Sequence, residues 1–530
     1  MRKEVCVVEK QAFNPYLPGY EYIPDGEPYE FDGRVYVYGS HDRFHAGMFC
    51  MNDYVCWSAP VDDLGDWTYE GVIFRKNQDP KNRMGLRLLF APDVTRGADG
   101  RFYLYYAFDF MGIMGVAVCD TPAGKYEFLG HVAYKDGTLW GRKKGDSFPF
   151  DPGVLLDDDG RVYLYSGFYT PVPGIVTGGR TLKFEGGYVL ELEQDMVTIK
   201  TPEKLLFPKE GKGAFAGHEF FEASSIRKYE GNYYFVYSSS KNHELCYAVS
   251  EKPDEGFTFG GVLISNCDLG INGNVDENHA ANYAGNNHGG MLCLNGQYYI
   301  FYHRHTDRTS YSRQTCAERL ERKDDGSFRQ AEMTSCGLNG QPLGGTGRYE
   351  ARIACNLWSG EGTGRYDVKH AKKRYAAHPY FTQDKKDGDE MAKQYIENMQ
   401  DGAVAGFKYF DLRQTASITI TAATRGESTG KMLVSTDREF EQIIAEIPLN
   451  GTQQKAMLRR DTEAESFTKT ALYFKYEGKG AVDFIAFELK KQEETSWERR
   501  KISTEEATEA AEKVNETEKR NADEQQERTE

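Results

Sequence analysis

Five ionisable residues stand at similar distances before five Asp-Gly, Glu-Gly or Asn-Gly pairs. Each precedes the glycine of its pair by seven to nine residues, and the five are Asp25, Asp93, Asp151, Glu222 and His288. Four carboxyl groups brought to one place repel each other, so such a cluster is more often functional than structural. Two opposed carboxyl groups can act as general acid and general base, which is the chemistry that hydrolysis of a glycosidic bond requires.

The same five places carry a repeated sequence pattern, at residues 32–39, 99–106, 159–166, 230–237 and 295–302. Each glycine-containing pair supplies the positive-φ turn of a hairpin, and the β-branched and aromatic run after it predicts a buried strand. The repeats begin 67, 60, 71 and 65 residues apart, which accommodates four strands with their loops. Repeated four-stranded units close as a β-propeller, so the sequence predicts five blades.

A propeller would bring the five ionisable residues together, because the first strand of each blade lines the central axis. Asp25 and Glu222, in blades 1 and 4, then face each other across the ring. This favours inversion, for which the carboxyl groups lie roughly 6.5–9.5 Å apart. Asp151, in blade 3, stands beside Glu222, and a neighbouring negative charge raises the pKa of a carboxyl group. We therefore expect a protonated Glu222 as general acid and an ionised Asp25 as general base.

Simpler interpretations remain open for members of this set. Polar axial residues could hydrogen-bond the water that fills a propeller channel. Asp93 follows Ala-Pro at a strand start and could bond backbone amides. His288 could be a core histidine, a ligand of water or part of a metal site.

Four motifs resemble glycoside hydrolase family 43. They are the stretch from Asn14-Pro-Tyr-Leu-Pro-Gly19 through Pro24-Asp25, then Phe150-Asp151-Pro, Phe221-Glu222-Ala and Asn287-His288-Gly. The family is inverting and includes α-L-arabinofuranosidases, β-xylosidases and arabinanases. The resemblance implies that Asp25 is the general base and that Glu222 is the general acid. It further implies that Asp151 tunes the pKa of the acid and orients it. It also implies a calcium or sodium ion on the axis near His288, with no cofactor required for the reaction.

One departure from the family pattern concerns the base. In the family the base is usually followed directly by proline, whereas Gly26 and Glu27 intervene here before Pro28. Glu27 is therefore a rival of Asp25 for the role of base.

Further polar residues are candidates for contact with the substrate. Arg304 could hold a sugar hydroxyl or Glu222, as blade 5 arginines do in the family that the sequence resembles. His303 and His305 flank it and could bind a metal ion, but two ligands without a third favour a structural role. The candidates for substrate contact are Arg304, His41, Asp42 and Asp93.

The composition excludes several classes of partner. The chain has 65 Lys and Arg against 81 Asp and Glu, and a formal charge of −16 argues against nucleic acid or an anionic membrane surface. The mean hydropathy is −0.65, and no window approaches the ~20 apolar residues of a membrane helix. The apolar stretch near the start is too short for a signal peptide, which predicts a cytoplasmic protein. Ten cysteines without a Cys-x-x-Cys pair predict reduced thiols.

The repeat stops after about residue 340, and short alternating strands follow, for example at residues 416–421 and 481–487. We expect an all-β chain with a five-bladed β-propeller over residues 1–342, a β-sandwich over 343–490 and a charged, helical or disordered tail over 491–530. Residues 402–410 and 471–478 resemble family 6 carbohydrate-binding modules. No tryptophan lies between Trp358 and the tail, so a sandwich that supports the propeller is favoured over one that binds sugar.

The expected function is that of a glycosidase. The chain would remove terminal α-L-arabinofuranose or β-D-xylose, with inversion, from oligosaccharides derived from hemicellulose. Three alternatives stay open: an endo-acting arabinanase-type hydrolase, a five-bladed glycoside phosphorylase, and a sugar-binding propeller without catalysis. The expected partner is an oligosaccharide substrate.

Overall fold

The computed structural model describes residues 11–174, 179–366, 376–449, 453–458 and 467–491. Regular structure in these ranges consists of β-strands and short 3-10 helices, and this confirms the predicted all-β class. No helix in the described ranges is long and apolar enough to span a membrane. The predicted tail, apart from Lys491, lies outside the described residues.

Five antiparallel sheets follow one another along the chain and form the five predicted blades. Blade 1 contains β1 (Glu27–Phe31), β2 (Arg34–Tyr38), β3 (Tyr54–Pro60) and β4 (Thr68–Phe74), and blade 2 contains β5 (Leu89–Arg96), β6 (Phe102–Phe108), β7 (Met114–Cys119) and β8 (Glu127–His131). Blade 3 contains β9 (Gly153–Leu156), β10 (Val162–Gly167), β11 (Gly186–Leu192) and β12 (Lys204–Pro208), and blade 4 contains β13 (Phe220–Tyr229), β14 (Asn232–Ser239), β15 (Glu244–Ser250) and β16 (Thr258–Ser265). Blade 5 has three described strands instead of the predicted four: β17 (Met291–Leu294), β18 (Gln297–His305) and β19 (Arg313–Leu320).

The predicted hairpins join the first and second strands of every blade. The five hairpin glycines have φ between 79° and 83°, a conformation that glycine adopts without the cost that a Cβ imposes. The second strands are buried on both faces because alternate residues enter different cores. In β2, Tyr36 and Tyr38 pack toward blade 2, whereas Val35 and Val37 pack toward blade 5. One such core fills each space between neighbouring blades.

The chain before β1 closes the ring against blade 5. The side chain of Asn14 donates from Nδ2 to the carbonyl of Ala317 (2.9 Å) and accepts at Oδ1 from the Ala317 N–H (3.0 Å). A side-chain amide thereby pairs with the outer edge of β19 as a further strand would. At the axis, a bridge between Gly26 and Gly289 joins blade 1 to blade 5.

The strands after the propeller form one ten-stranded sheet. They are β20 (Leu343–Gly344), β21 (Gly347–Glu350), β22 (Asn356–Trp358), β23 (Tyr380–Gln383), β24 (Gln394–Gln400), β25 (Val404–Asp411), β26 (Thr415–Ser435), β27 (Ile443–Pro448), β28 (Gln453–Met457) and β29 (Thr470–Lys491). The long strands β26 and β29 pair along most of their length, with register shifts that let the sheet curl. The curled sheet encloses an aromatic core that includes Phe407, Phe474, Phe484 and Phe487.

Buried ion pairs hold this sheet against the propeller. The Lys408 ammonium lies 2.8 Å from Glu332 Oε1 and 3.3 Å from Asp268 Oδ2, and the Tyr409 hydroxyl donates to Glu332 Oε2 (2.6 Å). Lys408 and Asp268 are both buried. Because an unpaired buried charge is costly, this contact fixes the position of the sheet relative to blade 5.

Candidate active site

Four of the five ionisable residues singled out in the sequence line one pocket of about 390 Å3 at one end of the propeller axis. They are Asp25, Asp151, Glu222 and His288. Asp25, Asp151 and Glu222 lie just before or at the start of the first strand of their blades. Equivalent places in a repeated unit reach the same end of the axis, which explains why residues nearly 200 positions apart meet there.

The backbone beside the carboxylates adopts an unusual conformation. Asp25 has φ 57°, Asp151 has φ 46°, and Ala223, next to Glu222, has φ 70°. The pairing of β13 with β14 also shifts register on both sides of Glu222. Such a bulge re-aims side chains, so both Phe221 and Glu222 line the pocket although they are adjacent on a strand. Left-handed conformations of non-glycine residues cluster at functional sites.

Asp25 is paired with a buried arginine. The guanidinium of Arg313, at the start of β19, donates from Nη1 to Asp25 Oδ1 (2.9 Å). Asp42 holds the same guanidinium, accepting from Nε (2.9 Å) and Nη2 (3.1 Å). All three side chains are buried. Arg313 therefore holds both carboxyl groups in place with charge-assisted hydrogen bonds. Burial raises the pKa of Asp42, and the guanidinium opposes that rise.

A neutral histidine, His303, contacts the backbone of Asp25. The Asp25 N–H donates to Nδ1 of His303 (3.4 Å), and Nε2 of His303 lies 2.8 Å from the carbonyl of Asn286. Nδ1 must accept here, so the proton is on Nε2. Burial holds the pKa of His303 well below its usual range. The expectation of a structural role for His303 agrees with these contacts.

The carboxyl group of Glu222 makes no hydrogen bond with any residue in the described part of the chain and is left to face the pocket. Burial, and then the charge of Asp25, raise the pKa of Glu222 to about 8, while Arg313 opposes the rise. Glu222 is therefore protonated at neutral pH. We had expected the charge of Asp151 to cause this rise, but desolvation is the larger cause and the second is Asp25.

Asp151 lies between the acid and the histidine. Its Oδ2 accepts from the N–H of Ala223 (3.1 Å), the residue after Glu222. Burial raises the pKa of Asp151 well above its usual range, and the charges of Glu222 and Asp25 add to the rise. Nδ1 of His288 is 3.6 Å from Asp151 Oδ2 and 4.0 Å from Asp25 Oδ1. Burial lowers the pKa of His288 to about 4, so its imidazole is neutral.

Glu27, the rival for the base, lies deeper along the axis. Its Oε2 accepts from Arg227 Nη2 (2.7 Å) and from the hydroxyl of Ser225 (2.8 Å). Glu27 is 1% exposed and outside the pocket lining. Among the described residues its Oε1 has no hydrogen-bond partner, and it lies 3.9 Å from Nε2 of His288. The geometry therefore favours Asp25 over Glu27 as the group that meets a substrate.

Three other candidates for substrate contact lie outside the pocket lining. Asp93 accepts from the N–H groups of Val94 (2.9 Å) and Val154 (2.7 Å), which is the backbone role that its position had left open. His41 contacts the carbonyl of Asp53 (2.8 Å). Asp42 accepts two hydrogen bonds from the Arg313 guanidinium.

Arg304, the fourth candidate, also lies outside the pocket lining and contacts the second domain. Its guanidinium donates to the carbonyls of Arg352 (2.6 Å) and Ala354 (3.1 Å) and lies 3.8 Å from the ring centroid of Phe381. These partners belong to the curled sheet domain, and Arg304 is 4% exposed. Arg304 therefore joins the two domains, and in the described part of the chain it makes no hydrogen bond with Glu222.

Several lining residues were missed from the sequence. Arg313 has no counterpart in the repeat pattern that we used, and Arg365 and Tyr366 come from the chain after the propeller. Six phenylalanines also line the pocket: Phe49, Phe90, Phe110, Phe150, Phe168 and Phe221. Two of them directly precede a candidate catalytic carboxylate, at Phe150-Asp151 and Phe221-Glu222, and this signal was available in the sequence.

The comparisons with known proteins, by family model and by sequence, agree with one another. The model of the family "Glycosyl hydrolases family 43" matches residues 23–328. The chain is 49% identical over 486 residues to "Xylosidase/arabinosidase" of Thermoclostridium stercorarium, covering 91% of this chain and 99% of that protein. It is 30% identical over 287 residues to "Xylosidase/arabinosidase" of Bacteroides ovatus, covering 47% of this chain and 80% of that protein. A "Beta-xylosidase" of Xylanibacter ruminicola is 30% identical over 277 residues, covering 46% of this chain and 80% of that protein.

Proposed function

We propose that this chain, which belongs to glycosyl hydrolases family 43, hydrolyses terminal pentosides by inversion, with Asp25 as general base and Glu222 as general acid. The chain is a glycosidase of the xylosidase/arabinosidase type, and its substrates are oligosaccharides that end in β-D-xylose or α-L-arabinofuranose. One observation carries the assignment of roles. The same pocket holds one carboxylate paired with a buried arginine and one carboxyl group that burial keeps protonated.

The reaction involves one proton transfer at each of these two groups. The Asp25 carboxylate takes a proton from a water molecule while the water oxygen attacks the anomeric carbon. Glu222 donates its proton to the glycosidic oxygen as the bond to the anomeric carbon breaks, and the alcohol leaves neutral. Attack from the face opposite the leaving group inverts the configuration. Afterwards Asp25 holds the proton and Glu222 is ionised, so one proton returns through solvent before the next turnover.

Asp151 and His288 position the acid rather than replace it. The bond from the Ala223 N–H to Asp151 fixes the backbone beside Glu222. The neutral His288 ring lies between Asp151 and Asp25, and it separates these two side chains without adding a charge that would lower the pKa of Glu222.

The axial ion implied by the family is part of the proposal. Nε2 of His288 and Oε1 of Glu27 are 3.9 Å apart, a spacing that suits one bridging water or cation. No described residue donates a hydrogen bond to this Oε1. Calcium takes six to eight oxygen ligands, so water would supply most of its coordination here. Such an ion would hold His288 in place, and no step of the reaction requires it.

The test is release of nitrophenol from the nitrophenyl α-L-arabinofuranoside and β-D-xyloside. The wild type should cleave at least one of them, and Asp25→Asn should reduce the rate by a factor on the order of 10²–10⁴. Asp32→Asn is a matched control in the same blade, since Asp32 is 73% exposed and lies in the hairpin turn, where asparagine is tolerated.

Other outcomes of this test point to other functions. Equal rates for the wild type and Asp25→Asn would contradict the assignment of the base. Turnover only with added phosphate would indicate a phosphorylase, and turnover only of long arabinan chains would indicate an endo-acting enzyme. Inactivity on every glycoside would indicate a sugar-binding propeller.

A further inference from the structure

Five of the six pocket phenylalanines touch one another in an unbroken series. The ring centroids of Phe49 and Phe90 are 6.4 Å apart, those of Phe90 and Phe150 5.5 Å, those of Phe150 and Phe168 5.0 Å, and those of Phe168 and Phe221 5.7 Å. We call this series the aromatic wall. It follows the pocket from blade 1 to blade 4 and is wider than the face of a single sugar ring, so stacking on one pentose does not account for it.

The wall ends beside the general acid. Phe221 directly precedes Glu222, and the bulge in β13 turns both side chains into the pocket. On the proposed function, Glu222 protonates the oxygen that links the pentose to its leaving group. The leaving group therefore lies on the Glu222 side of the pocket, against the end of the wall formed by Phe168 and Phe221.

This end of the wall suits an apolar group better than a second sugar. Phenylalanine offers no hydrogen bond, so sugar hydroxyls placed against it would lose water without gaining a partner. An aromatic ring placed there would bury apolar surface and make offset or edge-to-face contacts with the phenylalanines. At the mouth of the pocket, Phe110 remains 43% exposed, which leaves further apolar surface uncovered.

The polar lining outside the carboxylate cluster consists of Asn242, Asn286, Ser310, Arg365 and Tyr366. Arg365 is paired with Glu277 and also donates to the carbonyl of Lys241. Nε2 of His305 lies 2.6 Å from Oδ1 of Asn286, which leaves the Asn286 amide N–H groups to bind a sugar hydroxyl. The pocket thus offers polar groups to a pentose and an aromatic wall to its substituent.

We propose that the enzyme cleaves pentosides whose leaving group carries an aromatic ring, and that it prefers them to pentosides with a small polar leaving group. The substrate class is pentosides of aryl-substituted alcohols. The bonds that form and break are those of the hydrolysis described above, with water as the co-substrate and the aryl-substituted alcohol as the product.

The test compares two leaving groups of similar acidity. Because their intrinsic reactivity is then similar, a difference in kcat/KM reports their contacts with the pocket. The substrates are 2-phenylethyl and ethyl β-D-xyloside, with xylobiose as a reference, or the α-L-arabinofuranosides if that sugar is the one cleaved. We expect kcat/KM for the 2-phenylethyl glycoside to exceed that for the ethyl glycoside at least tenfold. A ratio near one with normal activity on xylobiose would overturn the proposal and leave the glycosidase function intact. Inactivity on all three substrates would overturn both.

Variants of the aromatic wall test whether the preference for the 2-phenylethyl glycoside arises from the wall. Phe168→Ala should bring the ratio of the two kcat/KM values close to one, whatever the change in the absolute rates, and Phe168→Leu should retain part of the preference. Phe184→Ala is the matched control, because Phe184 packs on Phe148 (5.3 Å between centroids) in the same cluster but does not line the pocket. An unchanged ratio in a folded Phe168→Ala protein would overturn the assignment to the wall.

Discussion

The raised pKa of Glu222 predicts where activity is lost at alkaline pH. With a pKa of about 8, roughly 90% of Glu222 carries its proton at pH 7 and roughly 10% at pH 9, by the definition of a pKa. The protonated form is the active one, so activity falls as pH rises through this value. The rate on xylobiose should therefore drop about tenfold between pH 7 and pH 9. At the ordinary pKa of 4.5, only about 0.3% would be protonated at pH 7.

The assay measures initial rates of the wild type and Glu222→Gln on xylobiose and on nitrophenyl β-D-xyloside from pH 5 to pH 10. Xylobiose has a poor leaving group and depends on the acid, whereas nitrophenol leaves with little help. Glu222→Gln should lose a factor on the order of 10²–10⁴ on xylobiose and much less on the nitrophenyl glycoside. Return of samples from pH 9 to pH 7 controls for unfolding. A midpoint below pH 6, or the same alkaline loss in Glu222→Gln, would refute the reasoning.

Three further predictions concern stability. Arg313→Met leaves Asp25 and Asp42 buried without their cation, which should cost about 3–5 kcal/mol; an unchanged Tm in a thermal melt would contradict the ion-pair network. Arg304→Met should lower Tm and leave KM unchanged, because Arg304 joins the domains; a raised KM with unchanged Tm would instead place Arg304 at the substrate. In Glu222→Gln, Tm should exceed that of the wild type at pH 9 and match it at pH 4. The native carboxyl keeps its proton up to about pH 8 and the unfolded one releases it above its ordinary pKa, so wild-type stability falls across that interval. Equal melting temperatures at pH 9 would contradict this.

The five blades were predictable because a few adjacent residues specify each hairpin turn. A glycine at positive φ between two runs of strand-forming residues specifies a hairpin without reference to the rest of the chain, and five repeats of that signal specify the ring. Periodicity also located Asp25, Asp151 and Glu222. It did not decide what each side chain contacts: Asp93 stands at the equivalent place in blade 2 but is held by two backbone N–H groups.

The two arginines of blade 5 show why the rest could not be predicted. Arg304 lies on β18 opposite Gln314, one position away from Arg313 in the register of β19. Successive residues of a strand point to opposite sides, so one position decides whether a guanidinium meets the pocket or the second domain. The sequence showed both arginines but not the exact pairing of the strands. Tyr366 lines the pocket from beyond the propeller, and no repeat predicts a contact between domains.

The central claim is that Asp25 activates water opposite a leaving group protonated by Glu222, and the configuration of the first product tests it most directly. Proton NMR can follow the hydrolysis of xylobiose or nitrophenyl β-D-xyloside at high enzyme concentration, before the released sugar mutarotates. We expect α-xylose to appear first and the β-anomer only later. Appearance of β-xylose first would show retention and would contradict a water molecule activated by Asp25.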